Sequence, residues 1–381
     1  MLARASVGIA CPPGWQVTPN NARGNESIPT VAVLSNVEVR VLQGFPHGRY
    51  PAGWFQIGWS DDFPAGVSKP LRYFGRDLVA FRGGAGGLHV MDAFCPHMGA
   101  HLGHGGKVLQ DAIACPFHGW VWRDGVNVEI PDAARPNRAK RLKSWPVREL
   151  SGIAMIWHDP LDREPSWEIS HLIETPEDYY PIIPHCVKLW SGRLHPQVVA
   201  ENSVDSSHFA YVHKAAAPAT TIRMEDHGAR LHVTQEIVYG GNKKTTWLTP
   251  EGPRVGTLEI DLWGIGVILT KFQGADDAYS LVACVPVDEA TGEFRMTNWS
   301  RRDGASTTAL SDLARRRTAE QFKQTDRDVV IWENMKYVDR PPVTKVEARP
   351  YRAFRTWSDR FYADEPVHDA SEPVHVELVS R

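Results

Sequence analysis

The chain has 381 residues, 42% of them apolar and 23% charged, with a net charge of −3. That balance describes an ordinary globular protein long enough for two domains, and gives no reason to expect nucleic acid or an anionic membrane as partner. No run of about eighteen apolar residues occurs, so no membrane span is expected, and residues 1–13 lack the basic and apolar regions of a signal peptide. The cysteines, Cys11, Cys95, Cys115, Cys186 and Cys284, form no disulfide framework and suit a reducing cytoplasm.

In chain order, residues 1–45 read as an N-terminal extension of Pro, Gly, Asn and short apolar runs, packed on the catalytic part or partly disordered. From Tyr50 the pattern becomes β-rich, with short apolar runs at 54–59, 71–74, 78–81 and 88–91 separated by Gly, Pro and Asp. Residues 153–157 close this antiparallel module, which occupies 46–160. Residues 162–184, with prolines and paired tyrosines, predict a linker over the surface. The remainder of 161–381 alternates strands at 187–194, 230–239, 254–262, 265–272 and 280–287 with helices over 196–213 and 307–332. The second helix has a dense polar face from Arg315 to Arg327, and the tail after Pro366 is expected to be mobile.

Two Cys/His pairs dominate the first module: Cys95-Pro96-His97 and Cys115-Pro116-Phe117-His118, each followed by a nearby glycine. Two thiolates and two imidazoles on paired loops suit a [2Fe–2S] centre of the Rieske kind, with Cys95 and Cys115 on one iron and His97 and His118 on the other. Proline and glycine favour tight loops that leave backbone N–H groups for the cluster sulfurs. The alternative is a structural zinc site, whose common spacings pair like with like. His101 and His104 fall outside the pattern and read as loop histidines.

A second constellation lies in Glu201-Asn202-Ser203-Val204-Asp205-Ser206-Ser207-His208, with His213 beyond it. On one helix Asn202, Asp205 and His208 share a side, but His208 and His213 would lie about 140° apart. Both reach one ion only if the helix is distorted or ends between them. Two imidazoles and a carboxylate, with open positions opposite, make the facial triad of a non-haem Fe(II) oxygenase, where O2 binds beside substrate. The carboxylate candidates are Asp326 and Asp328; Asp328 is preferred because it shares a helix face with Ile331 and Trp332.

These residues resemble the oxygenase component of Rieske non-haem iron oxygenases over nearly the whole chain. Within that group the chain is similar to the 3-ketosteroid 9α-hydroxylases and related sterol-acting enzymes, through residues 50–55, 69–71, 127–131, 199–205 and 328–332. The resemblance implies an α+β fold: an antiparallel Rieske domain joined to a helix-grip, START-like catalytic domain with a curved sheet around a long helix. It also implies a homotrimer in which Asp205 bridges a neighbour's cluster histidine, His97 or His118, and the iron ligand His208. The sequence departs from relatives at Ser206-Ser207, where they often carry bulkier residues, which bears on substrate choice.

The expected reaction is O2-dependent hydroxylation of an apolar polycyclic substrate, with NAD(P)H electrons arriving from a separate flavin/iron-sulfur reductase, since the chain has no G-x-G-x-x-G fingerprint. Sterol desaturation or aryl O/N-demethylation would use the same metals. A Rieske electron-transfer protein with a lipid-binding domain is the non-enzymatic alternative. Trp247-Leu248, residues 262–269 and Phe272 pack as plain core or wall a cavity, with Gly264 and Gly266 leaving space; a cavity of that kind suits a flat, neutral, hydrocarbon-rich substrate. Lys107, Arg123, Arg138, Lys140, Arg141 and Lys143 offer an acidic reductase a docking patch or form a solvated surface.

Overall fold

The computed structural model describes residues 49–239, 252–274, 277–304 and 308–378. The expected N-terminal extension, Trp247 and Leu248 lie outside these residues. The first part of the chain supplies β1 (Gly53–Trp59), β2 (Ser68–Tyr73), β3 (Arg76–Arg82), β4 (Leu88–Asp92), β5 (Lys107–Leu109), β6 (Ala112–Ala114), β7 (Val121–Arg123), β8 (Val126–Glu129), β9 (Ser144–Trp145), β10 (Val147–Leu150) and β11 (Ile153–His158). They form three small antiparallel sheets, ordered β1-β11-β10, β2-β3-β4-β9 and β5-β6-β7-β8.

Period-two alternation makes β1 and β11 a seam between two cores. Trp54, Ile153, Met155 and Trp157 pack into the main core, while Phe55, Ile57, Ala154 and Ile156 pack beneath the small sheets. The segment expected to cross the surface does so only in part: Glu164, Glu168 and residues 174–178 are exposed, but the chain is anchored inward between them. Trp167, Ile169, Leu172 and Tyr180 are buried, and the Trp54 indole N–H donates to the Trp167 carbonyl at 3.1 Å. Its prolines break periodicity but do not prevent its aromatic side chains from filling the core.

The second part contributes β12 (Val187–Gly192), α1 (Pro196–Glu201), α2 (His208–Tyr211), β13 (Thr220–Asp226), β14 (Arg230–Tyr239), β15 (Arg254–Trp263), β16 (Val267–Gln273), β17 (Ala278–Pro286), β18 (Gly292–Ser300), α3 (Asp312–Trp332), α4 (Ala348–Ser358) and β19 (Val374–His375). One eight-stranded antiparallel sheet, ordered β12-β18-β17-β16-β15-β14-β13-β19, collects every one of these strands. The tail is therefore docked: β19 pairs with β13, and Val376 and Leu378 rest on the core.

Helix α3 starts at Ser311, whose hydroxyl accepts from the Ala314 N–H at 3.0 Å, the preferred chemistry of an N-cap. Its buried stripe is Ala314, Thr318, Gln321, Thr325, Asp328 and Val329. Polar groups at those positions would be expensive against a plain core, so the stripe itself marks a cavity. Ile331, expected to face inward with Asp328, is instead 44% exposed.

Helix α1 is fixed to α4 by a buried ionic knot. Glu201 accepts from the Arg355 guanidinium at 2.9 Å, the Tyr351 hydroxyl at 2.5 Å and the Gln197 amide at 3.1 Å. Removing one partner of such a pair strands the other in low dielectric. Glu201→Ala is expected to cost about 3 kcal/mol, read as a lowered urea midpoint, and to loosen the segment that begins at Asn202.

Candidate metal centres and substrate cavity

The β4–β5 connection carries Cys95 and His97, and the β6–β7 connection carries Cys115 and His118. Both thiols are buried in a small core with Val79, Phe81, Met91, Ile113 and Trp122, while both histidines are exposed at the loop tips, ring centroids 4.7 Å apart. Each loop closes the same way: Gly99 N–H donates to the Cys95 carbonyl at 2.9 Å and Gly119 N–H to that of Cys115 at 3.0 Å. These glycines take φ of +76° and +68°, the left-handed region that side chains avoid. Trp120 stacks on His97 at 4.4 Å.

Burial pushes the Cys95 thiol up from its usual pKa, and the buried Trp122 indole N–H finds no oxygen or nitrogen acceptor. A metal–sulfur cluster answers both features, since it holds the thiolates and presents sulfur to the N–H. A single tetrahedral zinc would draw its ligands to within about 4 Å of each other. Among the described residues, the set that brings three or more such ligand atoms within 4.8 Å is His208, His213 and Asp328. The two thiols and two imidazoles are spread more widely, as two irons require.

The expected helix over 196–213 is broken. Helix α1 ends at Glu201, and α2 begins only at His208. Asp205 causes the break: its Oδ1 accepts from the N–H groups of Ser207 at 3.0 Å and His208 at 3.2 Å, so side chain replaces helical carbonyl. Asn202, Asp205 and His208 therefore do not lie along one helical face. The break brings the His208 and His213 rings to 5.0 Å, closer than a straight helix permits.

The His208 ring is oriented by main chain. Nδ1–H donates to the Asp205 carbonyl oxygen at 2.5 Å, whereas the Asp205 carboxylate is 3.9 Å from Nδ1. The carboxylate expected to hold this imidazole thus caps α2 instead, and its side chain remains 42% exposed. The tautomer leaves the Nε2 lone pair toward the cavity, where the Asn202 amide lies at 3.3 Å. His213 Nε2 lies 3.5 Å from Asp328 Oδ1, and its buried Nδ1 has no partner.

Burial holds both imidazoles below the usual histidine range, His213 down to about 3, and pushes the Asp328 carboxyl up to about 8. Two neutral nitrogen donors and a buried carboxyl, whose charge the neighbouring Arg327 only partly offsets, are the donor set a divalent iron takes. Asp326 points elsewhere, its Oδ1 accepting from Lys188 Nζ at 2.5 Å and the Trp190 indole at 2.8 Å. Asp326→Asn is accordingly expected to leave the iron content unchanged, with a stability loss under about 1 kcal/mol; metal analysis beside a thermal melt checks both.

The three side chains open into a cavity of about 860 Å³ between α3 and the concave face of the large sheet. Ile237, Leu258, Ile260, Ile268, Phe272 and Val282 make the sheet wall, and Gln321, Gln324, Thr325 and Trp332 the helix wall. Of the apolar run 262–269 only Ile268 reaches this cavity; the rest is core. Gly266 serves close approach rather than cavity space: a Cβ there would meet the Trp54 carbonyl at 2.5 Å. The helix-wall residues escaped sequence reading, although stepping back from Asp328 by helical turns reaches Gln324, Thr325 and Gln321.

Comparison with known proteins agrees with this geometry. The family described as 3-ketosteroid 9α-hydroxylase C-terminal domain matches residues 156–362, and the Rieske [2Fe–2S] domain matches residues 53–146. The chain belongs to the 3-ketosteroid 9α-hydroxylase family of Rieske oxygenases. It is 30% identical, over 86% of its length and 88% of the relative's, to a 3-ketosteroid-9-alpha-monooxygenase oxygenase component of Rhodococcus rhodochrous. It is 27% identical to a cholesterol 7-desaturase of Hemicentrotus pulcherrimus, over 87% of its own length and 74% of the relative's. Among solved structures, NdmB of Pseudomonas putida CBB5 superposes with a TM-score of 0.62 at 17% identity, covering 84% of this chain and 93% of that one. Apo dicamba monooxygenase gives 0.60 at 16%, covering 82% and 98%; both show the same fold. As a member of this family the protein is an α+β Rieske non-haem iron monooxygenase that uses O2, one [2Fe–2S] cluster and one mononuclear iron. Among its described residues no helix is long and apolar enough to cross a membrane.

Proposed function

We propose that this protein is the terminal oxygenase of a multi-component system that hydroxylates a 3-ketosteroid at the 9α position, with electrons from NAD(P)H through a separate flavin/iron-sulfur reductase in the cytoplasm. Residues 46–160 form the cluster domain, with Cys95, His97, Cys115 and His118 as ligands, and residues 161–381 the catalytic domain, with His208, His213 and Asp328 on iron. The observation that carries this reading is the His208–His213–Asp328 constellation opening into a cavity whose sheet wall is largely apolar.

Bound at these residues, the cluster supplies single electrons and the Fe(II) supplies open positions for O2. The chain's own groups do the rest. The Asp205 carbonyl fixes the His208 tautomer, Asn202 contacts Nε2, and the apolar strands hold a neutral skeleton and exclude water. In a homotrimer, a neighbour's exposed His97 and His118 would approach the exposed Asp205 carboxylate. Solvent-exposed Phe94, Met98 and Phe117 beside the cluster, and Tyr211 and Val330 on α2 and α3, support such a contact. The exposed basic residues Lys107, Arg123, Arg138, Lys140 and Arg141 suit an acidic reductase.

Likeness to cholesterol 7-desaturases favours sterol desaturation as the second reading. Turnover of the iron-loaded protein with a surrogate reductase, NADH and ¹⁸O2 separates them. One labelled oxygen in a 3-ketosteroid product is expected; an unlabelled product with a new double bond establishes desaturation, and demethylation of methoxyarenes alone removes the steroid claim.

A further inference from the structure

The sheet wall of the cavity contains polar groups with nothing to bond. Ser280 Oγ and both polar atoms of Asn298 are buried without a hydrogen-bond partner, although the residues are only 4% and 3% exposed. They are not scattered. Ser280 on β17 pairs directly with Thr270 on β16 and with Asn298 on β18, so the three side chains form one row on the concave face. Ser280 and Thr270 line the cavity, with Asn298 behind them; the row on one side, Ile268, Val282 and Met296, is apolar, and the row on the other is Phe272, Ala278 and Ser300, whose hydroxyl has a partner in Thr318 Oγ1 at 3.4 Å. On a strand that alternates toward a hydrocarbon wall, serine between Ala278 and Val282 breaks the pattern. Unpaired buried polar groups cost stability, and a ligand able to satisfy them recovers it.

Their position along α3 is fixed by two contacts. Thr318 Oγ1 meets Ser300 at 3.4 Å, and Thr325 Oγ1 meets Met296 at 3.3 Å, which sets Asn298, midway between those residues, level with Gln321. Asp328 lies seven residues further on, about 10 Å along the helix axis. A molecule that touches both places must extend through most of the cavity.

We propose that Ser280, backed by Asn298, is a hydrogen-bonding subsite for a neutral oxygen, ketone or hydroxyl, carried by an otherwise hydrocarbon polycyclic substrate whose far end lies at the metal ligands. The proposal rests on the reading of this cavity as the substrate site. The charged residues lining the cavity are Lys214, just after α2, and Glu320, Lys323, Arg327 and Asp328 on α3; none belongs to the sheet, so the sheet row recognises a dipole and not an ion. Serine and asparagine each donate and accept, so ketone and alcohol are both admitted.

The test is calorimetric binding to the iron-loaded full-length protein, using matched probes: a saturated steroid hydrocarbon, its monoketone and its monoalcohol, and decalin with decalone. Wild type should bind an oxygenated member about tenfold more tightly than its hydrocarbon, the size of one net hydrogen bond. Ser280→Ala and Asn298→Leu should bring that ratio near one, leave hydrocarbon binding within about twofold, and raise the melting temperature of the ligand-free protein. An unchanged ratio in both variants overturns the subsite, as does a fall in melting temperature with equal loss for both members of a pair. If steroids bind with a ratio indifferent to Ser280, the subsite fails and the steroid reading stands. If only the decalin pair binds, with a Ser280-dependent ratio, the subsite stands and the steroid reading fails.

Discussion

Alanine in place of Asp205 is expected to leave both metal centres filled and to lower turnover by about a hundredfold, the upper end of what loss of an outer-shell partner of a metal site costs. Retention of iron follows from the geometry: His208 is oriented by the Asp205 main-chain carbonyl, which alanine keeps. Loss of the Oδ1 cap to Ser207 and His208 should cost about 1 kcal/mol, too little to unfold the chain. What alanine removes is the exposed carboxylate that, in the proposed homotrimer, a neighbouring subunit's imidazole would meet. Asp205→Asn separates the two roles, because it preserves the cap and deletes the charge. Oxidation of the pre-reduced cluster in a single turnover should slow in both variants, with the absorption spectrum of the cluster unchanged. Normal turnover in Asp205→Ala would remove Asp205 from the electron path and leave it as a helix-capping residue.

Asp328→Ala carries the other large effect. Iron content should fall from about three to about two per chain, with acid-labile sulfide unchanged and hydroxylation lost. The buried carboxylate is the anionic member of the set, and two neutral imidazoles alone bind Fe(II) far more weakly. Asp326→Asn is the matched control on the same helix, two residues away and turned to Lys188 and Trp190. Equal iron in wild type and Asp328→Ala would mean that the third ligand comes from elsewhere. Iron lost from both aspartate variants would point to a damaged helix rather than a missing ligand.

The sequence determined the metal chemistry of this protein because ligand identity and spacing are local properties. Cys95-x-His97 and Cys115-x-x-His118 already distinguish two mixed loops from a zinc ribbon, and Asn202, Asp205, His208 and His213 fall within twelve residues. The strands expected over 230–239 and 254–262 were legible for the same reason: period-two alternation is written along a single segment. Tertiary structure decided the rest. A continuous helix over 196–213 is what propensity favours; the break at Asp205 comes from a side chain capping α2, and that break is what brings two histidines to one point. Helix periodicity already favours Asp328 over Asp326, but what holds Asp326 away is Lys188 and Trp190, which arrive from β12. Residues 162–184 lack any period, yet their aromatic side chains are buried by elements distant in the chain. The polar row of Thr270, Ser280 and Asn298 exists only across three strands in register. Spacing along one chain specifies which atoms can bind a metal; which polar atoms share a cavity depends on contacts between distant segments, which no local pattern encodes.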